Sequence, residues 1–275
     1  MDVDPIILPP SAEYPLYITA KRYTPRPPPN GGTPRASLSD KPAATLIFLH
    51  STSFMKEIWE PCIADIFANQ RLRRPIATIF AIDCPNHGAA GMLNASSFHT
   101  RKHLVDFSCE KYALAVRHFL MRAPEISREY LIGVGHSLGA IALVILQSLN
   151  PAAIHFQRLV LVEPLLIATG TQSIARLRAR LLKGAYARRQ TWPDRSSAQR
   201  DLASRGHKWD PRSMHLYLKH GLYEELSGVA LCCSREQEIA MYNDEDGATA
   251  PLFDLTRACE TTVVHIVFGK PNSVL

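Results

Sequence analysis

The sequence predicts an α/β fold, a doubly wound and mostly parallel sheet with an insertion before its last recognisable strand. Three observations predict it. Short, nearly continuous apolar runs alternate with longer segments able to form helices, as strands buried on both faces require. From Leu165 to about Arg257 that alternation stops and a charged stretch takes over. An apolar, β-branched run, Thr262 to Phe268, then resumes it. With 275 residues, 46% hydrophobic and 20% charged, the chain can bury a large core, which excludes a disordered, collagen-like or coiled-coil protein.

Tyr14 to Thr24 alternates apolar and polar side chains and reads as an early strand. Residues 25 to 43 hold six prolines together with Gly31 and Gly32, the composition of an exposed connector. Four buried-type strands follow, at Thr45 to Leu49, Pro75 to Ile82, Tyr130 to Val134 and Leu159 to Val162. Helices are expected over Lys56 to Asn69, Arg101 to Met121 and Leu138 to Leu149. The block 165–257 reads as a helical, strandless lid, with Trp192, Trp209 and four tyrosines. Between Gln172 and Arg212 it carries eleven Lys/Arg against three Asp, a local excess larger than the +6 of the whole chain. The expected division is a core over 1–164, a basic lid over 165–257, and a returning core strand with the chain end over 258–275.

Composition narrows the function. Six cysteines at 62, 84, 109, 232, 233 and 259 have no zinc spacing and are too few for a disulfide scaffold, so they read as reduced thiols, with no metal and no cofactor implied. The basic charge has no nucleic-acid recognition motif beside it and is concentrated in one segment, so no nucleic-acid partner is expected. No run approaches the roughly 18 apolar residues of a membrane span. The start MDVDPIILPP lacks the basic and apolar regions of a signal peptide, and an intracellular protein is expected.

The chemistry is carried by Gly135-His136-Ser137-Leu138-Gly139, a G-x-S-x-G pattern in a telling context. It follows the strand YLIGV and opens the apolar helix LGAIALVILQSL, which is the strand, sharp turn and helix of a nucleophile elbow. Ser137 is the candidate nucleophile, and the Leu138 N–H at the helix start is an oxyanion donor. A second donor is expected on the loop His50-Ser51-Thr52-Ser53-Phe54, where Thr52 is preferred and Ser53 is the alternative. His50 and His87 read as structural. Glu163 ends the strand LVLV at the carboxyl edge of the sheet, where open α/β folds bind ligands, and is the candidate triad acid. Its other readings are a helix cap or a partner for a lid arginine. No histidine of the eleven lies on a loop after a late strand: His265 sits inside VVHIVF as a half-buried strand residue, His207, His215 and His220 belong to the lid, and His99 and His103 lie near the start of the helix expected over Arg101 to Met121.

Together these residues resemble the α/β-hydrolase superfamily. More narrowly the chain is similar to fungal secondary-metabolism hydrolases, a group that includes mycophenolic acid acyl-CoA hydrolase and host-selective toxin biosynthesis proteins. The carrying segments are HSTSFMKEIWEP (50–61), GHSLGA (135–140), RLVLVEP (158–164) and WDPRSMHLYLKHGL (209–222). The resemblance implies Ser137 as nucleophile, Glu163 as triad acid, and a small-molecule ester or coenzyme A thioester as substrate. The lid charge suits an acidic substrate of that kind. It also implies a peroxisomal address in many members, although Ser273-Val274-Leu275 lacks the basic middle residue of an import tripeptide. A member of this family is expected to continue through one more strand and a histidine-bearing loop, neither of which this sequence contains. The alternative expectation is therefore a truncated, catalytically silent homologue.

Overall fold

The computed structural model describes residues 1–26, 42–69, 72, 74–100, 107–123, 126–149, 154–166, 172–205, 208–244, 247 and 250–269. Its strands are β1 (Asp2–Leu8), β2 (Ile18–Thr24), β3 (Ala44–Leu49), β4 (Ile76–Ile82), β5 (Leu131–His136), β6 (Phe156–Val162), β7 (Thr191–Trp192), β8 (Leu222–Glu225), β9 (Gly228–Leu231) and β10 (Val263–Val267). Seven of them form one sheet in the order β1-β2-β4-β3-β5-β6-β10. β4, β3, β5, β6 and β10 run parallel, while β2 and β1 add antiparallel strands at one side. Because the five parallel strands end on the same side, the residues that follow them share one edge: His50, Asp83, Ser137, Glu163 and Phe268.

The helices are α1 (Glu60–Ala68), α2 (Gly88–Thr100), α3 (Cys109–Arg122), α4 (Leu138–Leu149), α5 (Gln172–Ala187), α6 (Arg195–Arg205), α7 (Pro211–His220), α8 (Arg235–Asn243) and α9 (Ala250–Thr261), with a 3-10 turn at Lys56–Trp59. α4 has no charged residue and is buried from Leu138 through Gln147, as a helix flanked by sheet and by other helices requires. α3 shows an apolar face instead, and Ser108 caps it by accepting from the Lys111 N–H at 3.2 Å. The main core joins these two helices to Ile47, Leu49, Phe80, Ile82, Leu159 and Leu161 of the sheet.

Several expectations change. The early strand starts at Ile18, and Asp2–Leu8, from which no element was expected, pairs with it as an edge strand. Pro5 is tolerated there because an edge strand leaves backbone donors unused. Gly88–Thr100 is a helix, in a stretch for which no element was expected. The next helix begins at Cys109; residues 101–106 of the helix expected there lie outside the described residues, as does the 27–41 part of the proline-rich connector.

The lid segment is not strandless, because β7, β9 and β8 form a small antiparallel sheet. Two to four residues per strand are too few to show a period, and stability comes from packing Trp192, Tyr217, Leu222, Val229 and Leu231 on Met55 of the core. β10 is also less buried than an all-apolar run suggests. Among the described residues it pairs with β6 alone, so Ile266 and Val267 stay exposed and so does His265, whose Nε2 lies 3.4 Å from Arg158 Nη1.

The β5–α4 corner lies hard against β3. A Cβ on Gly139 would meet the Leu49 carbonyl oxygen at 2.3 Å, and one on Gly135 would meet the Ala140 nitrogen at 2.5 Å. Both contacts are with backbone, which cannot swing aside. Gly139→Ala is therefore expected to cost about 1–3 kcal/mol or more in urea unfolding, whereas Gly184→Ala, with open space around the site, should leave the midpoint unchanged or raise it.

Candidate active site

Ser137 occupies the sharp turn with φ +48°, a left-handed conformation that is costly for a residue with a side chain. The turn is held from both sides. Its N–H donates to the Val162 carbonyl at 2.9 Å, and its own carbonyl accepts from the Ile141 N–H at 3.1 Å. The Ser137 side chain is half-buried at the carboxyl edge. Among the described residues three non-glycine residues have positive φ: Ser53 at +68°, Ser137 at +48° and Glu163 at +47°. They follow three different parallel strands, β3, β5 and β6, and all stand on the same sheet edge. Strain of this kind persists where surrounding structure enforces it, and it clusters at functional sites.

Glu163 stands beside the elbow because His136 is in register with Val162, and Val162 with Val267. Its N–H donates to the Val267 carbonyl at 2.9 Å, and its Oε1 accepts a short hydrogen bond from the Gly269 N–H. Among the described residues the carboxylate neither caps a helix nor pairs with a lid arginine. Thr52 is buried at 8% exposure on the loop after β3, and Leu138 is buried at 3% as the first residue of α4. The Ser53 Oγ is buried and, among the described residues, has no hydrogen-bond partner.

Beneath that loop lies a polar cluster that sequence reasoning missed as a unit. Asp83 is fully buried and accepts from the Lys56 Nζ at 2.7 Å, the Lys56 N–H at 2.8 Å and the Thr19 hydroxyl at 2.7 Å. Burial opposes its ionisation, but the Lys56 ammonium and these hydrogen bonds prevail and hold the carboxyl below its ordinary range. Lys56 likewise stays charged against burial, because Asp83 and Glu57 flank it. The available signal was Lys56-Glu57 at the start of an otherwise apolar, amphipathic stretch.

His50 is fully buried, and its roles are assigned by its neighbours. The Cys84 N–H donates to Nε2 at 3.0 Å, so Nδ1 carries the proton and donates to the Ser51 carbonyl at 2.8 Å. Its 3.6 Å approach to Asp83 is thus not an ion pair, and the Nε2 lone pair is already used. His87 is buried as well, with Nδ1 against Asn86 Oδ1 at 2.6 Å and Nε2 without a partner. Burial pushes both imidazoles below the ordinary histidine value. His136, next to Ser137, is also lowered by burial, against an opposing effect of Glu163. Among the described residues no hydrogen bond joins a histidine to the Ser137 hydroxyl. His103 and His207 lie outside those residues.

Several lid arginines are committed within the lid and to α1. Arg188 pairs with Glu238 at 2.7 Å, Arg195 with Glu224 at 2.9 Å, and Arg212 with both Asp65 and Asp210 at 2.9 Å. Arg178 donates to the Tyr242 and Asn243 carbonyls at the end of α8. These contacts are structural, so the sequence excess of charge does not translate into an equal excess of open cationic surface. An open depression of about 480 Å³ lies between α1 and α7, lined by Trp59, Cys62, Asp65 and Arg212 among others, and it includes neither Ser137 nor Glu163.

A family model described as the alpha/beta hydrolase family matches residues 46–265. The chain belongs to that family. Similar proteins include the type I acyl-CoA thioesterase mpaH of Penicillium roqueforti, 28% identical over 265 residues that cover 94% of this chain and 52% of the relative. The abhydrolase domain-containing protein AFT2-1 of Alternaria alternata is 26% identical over 119 residues, covering 41% of this chain and 44% of the relative. This alpha/beta hydrolase thus spans about half the length of the curated relatives it matches. Among solved structures, the peroxisomal alpha-beta-hydrolase Lpx1 of Saccharomyces cerevisiae superposes with a TM-score of 0.72 at 15% identity, over 98% of this chain and 82% of that one, a likeness of fold. Among the described residues no helix is long and apolar enough to cross a membrane.

Two predictions follow from the buried cluster. Lys56→Met leaves Asp83 charged and unpaired and should cost about 3–5 kcal/mol in denaturant unfolding, while Lys56→Met combined with Asp83→Asn should recover part of that loss. Separately, His50 and His87 resist protons that the unfolded chain accepts near pH 6.5. Their contribution is present above that value and is lost as pH falls below it, and depressed Asp83 adds a further loss below about pH 4. Thermal midpoints measured from pH 8 down to pH 4 should fall steadily below 6.5, and a flat profile between 7.5 and 5 contradicts the assignment.

Proposed function

We propose that this chain carries the site of a serine hydrolase acting on an ester or an acyl-CoA thioester in fungal secondary-metabolite, including toxin, biosynthesis. The single observation that carries the reading is the convergence of strained Ser53, Ser137 and Glu163 on one sheet edge. Ser137 Oγ attacks the acyl carbonyl, and the Leu138 and Thr52 N–H groups hold the oxyanion. Ser53, the next residue on the same loop, is the alternative donor. A base oriented by Glu163 takes the Ser137 hydroxyl proton and gives it to the departing alcohol or thiol as the acyl–serine ester forms, and water then cleaves that ester to release the acid. The similarity to an acyl-CoA thioesterase supports the choice of acyl substrate.

A second reading is favoured by one observation, the lack among the described residues of a histidine hydrogen-bonded to Ser137. In that reading the chain is a catalytically silent homologue, retaining at most the modest residual rate left by an oxyanion site without its base.

A fluorophosphonate probe separates the two. The purified chain should label at Ser137, with labelling abolished by Ser137→Ala and reduced at least about tenfold by Glu163→Gln. Absence of labelling in a folded chain overturns the hydrolase reading and leaves the silent one.

A further inference from the structure

A continuous run of aromatic rings leaves the elbow and ends in the lid. His136, adjacent to the nucleophile, lies 6.4 Å from Phe54, which is two residues beyond Thr52 on the oxyanion loop. Phe54 in turn lies 5.3 Å from Trp209 and 5.9 Å from Tyr217, and those two meet edge-on at 5.4 Å and 89°. Tyr217 is closed off at 7% exposure, but Trp209 is 38% exposed. The lid's other tryptophan is different: Trp192 is 2% exposed and its indole N–H is hydrogen-bonded to Asp201.

Trp209 is nonetheless held in place. Asp210, its neighbour, caps α7 by accepting from the Arg212 N–H at 2.8 Å, and Arg212 grips Asp65 of α1 through both nitrogens at 2.9 and 3.1 Å. A tryptophan that served only to fasten lid to core would bury its face, as Trp192 does. A rigidly seated indole with part of its surface open, two ring steps from His136, the residue before Ser137, has the form of a recognition wall. Such rings favour a partner that can lie offset or edge-on to them, which a planar aromatic group does and a short alkyl chain does not.

We infer that Phe54 and Trp209 form the acyl-recognition wall of this protein and that it takes an aromatic acyl group, with Trp209 determining specificity. The inference rests on the serine-hydrolase reading for the position of the acyl carbon alone.

The test is binding to Ser137→Ala protein, which needs no turnover. The 3-phenylpropionyl and butanoyl thioesters of N-acetylcysteamine are titrated by tryptophan fluorescence and by calorimetry. The aromatic thioester should quench emission, and the quench should vanish in Trp209→Phe while calorimetric binding persists. Trp209→Ala should weaken the aromatic thioester about tenfold and the butanoyl thioester less than about twofold. Where Trp209→Ala does not fold, Trp209→Leu carries the same comparison. No binding of the aromatic thioester, a quench that survives in Trp209→Phe, or equal weakening of both thioesters overturns the inference. Failure of the hydrolase reading looks different: the unsubstituted protein shows no turnover while the Trp209-dependent titration still holds.

Discussion

Asp83 is ionised with no exposed surface, and a charge in that position must be neutralised where it stands. Lys56 does this with both its ammonium and its backbone N–H. Because Lys56 begins the 3-10 turn directly after the loop 50–54, the same contact pins that loop to the end of β4. Thr19 adds β2 to the anchor. The loop that carries the strained Ser53 and the neighbouring Thr52 is anchored at its end by this fixture, and such anchoring lets a costly backbone conformation persist without a glycine. The lid depends on the fixture too, since its small apolar core closes over Met55, the residue between the loop and Lys56.

The two histidines nearest this fixture show how burial separates residue type from role. His50 and His87 lie at the carboxyl edge, where a base is wanted, yet both are enclosed and held neutral. His50 spends its one lone pair on the Cys84 N–H. A histidine used this way sets loop geometry and gives up general-base chemistry. Several lid arginines follow a similar logic, in that pairing with lid carboxylates and helix-end carbonyls turns part of an apparent cationic patch into scaffolding.

Much of the sheet was legible in the chain because burial on both faces leaves a local mark. TLIFL and LVLV are apolar at nearly every position and became β3 and β6, and the all-apolar helix after Ser137 became α4. What was not legible had no local mark. β8 carries two glutamates and β7 has two residues, so their pairing is set by Trp192, Val229 and Met55 from distant parts of the chain. The run VVHIVF reads like any interior strand, and its exposure follows from standing at the end of the sheet order, which no residue of the strand encodes.

The same division holds at the site. The sequence by itself determined the strand, sharp turn and helix around Ser137, because strand, glycine-flanked serine and helix are consecutive and their geometry is a property of one short segment. It also determined that a carboxylate closes the strand after that helix. The tertiary structure alone decided that Glu163 is held by Gly269 from 106 residues away and that Trp209 stands against Phe54. Those relations are made by packing between elements far apart in the chain, where many partners are compatible with each side chain and only close approach in three dimensions selects one.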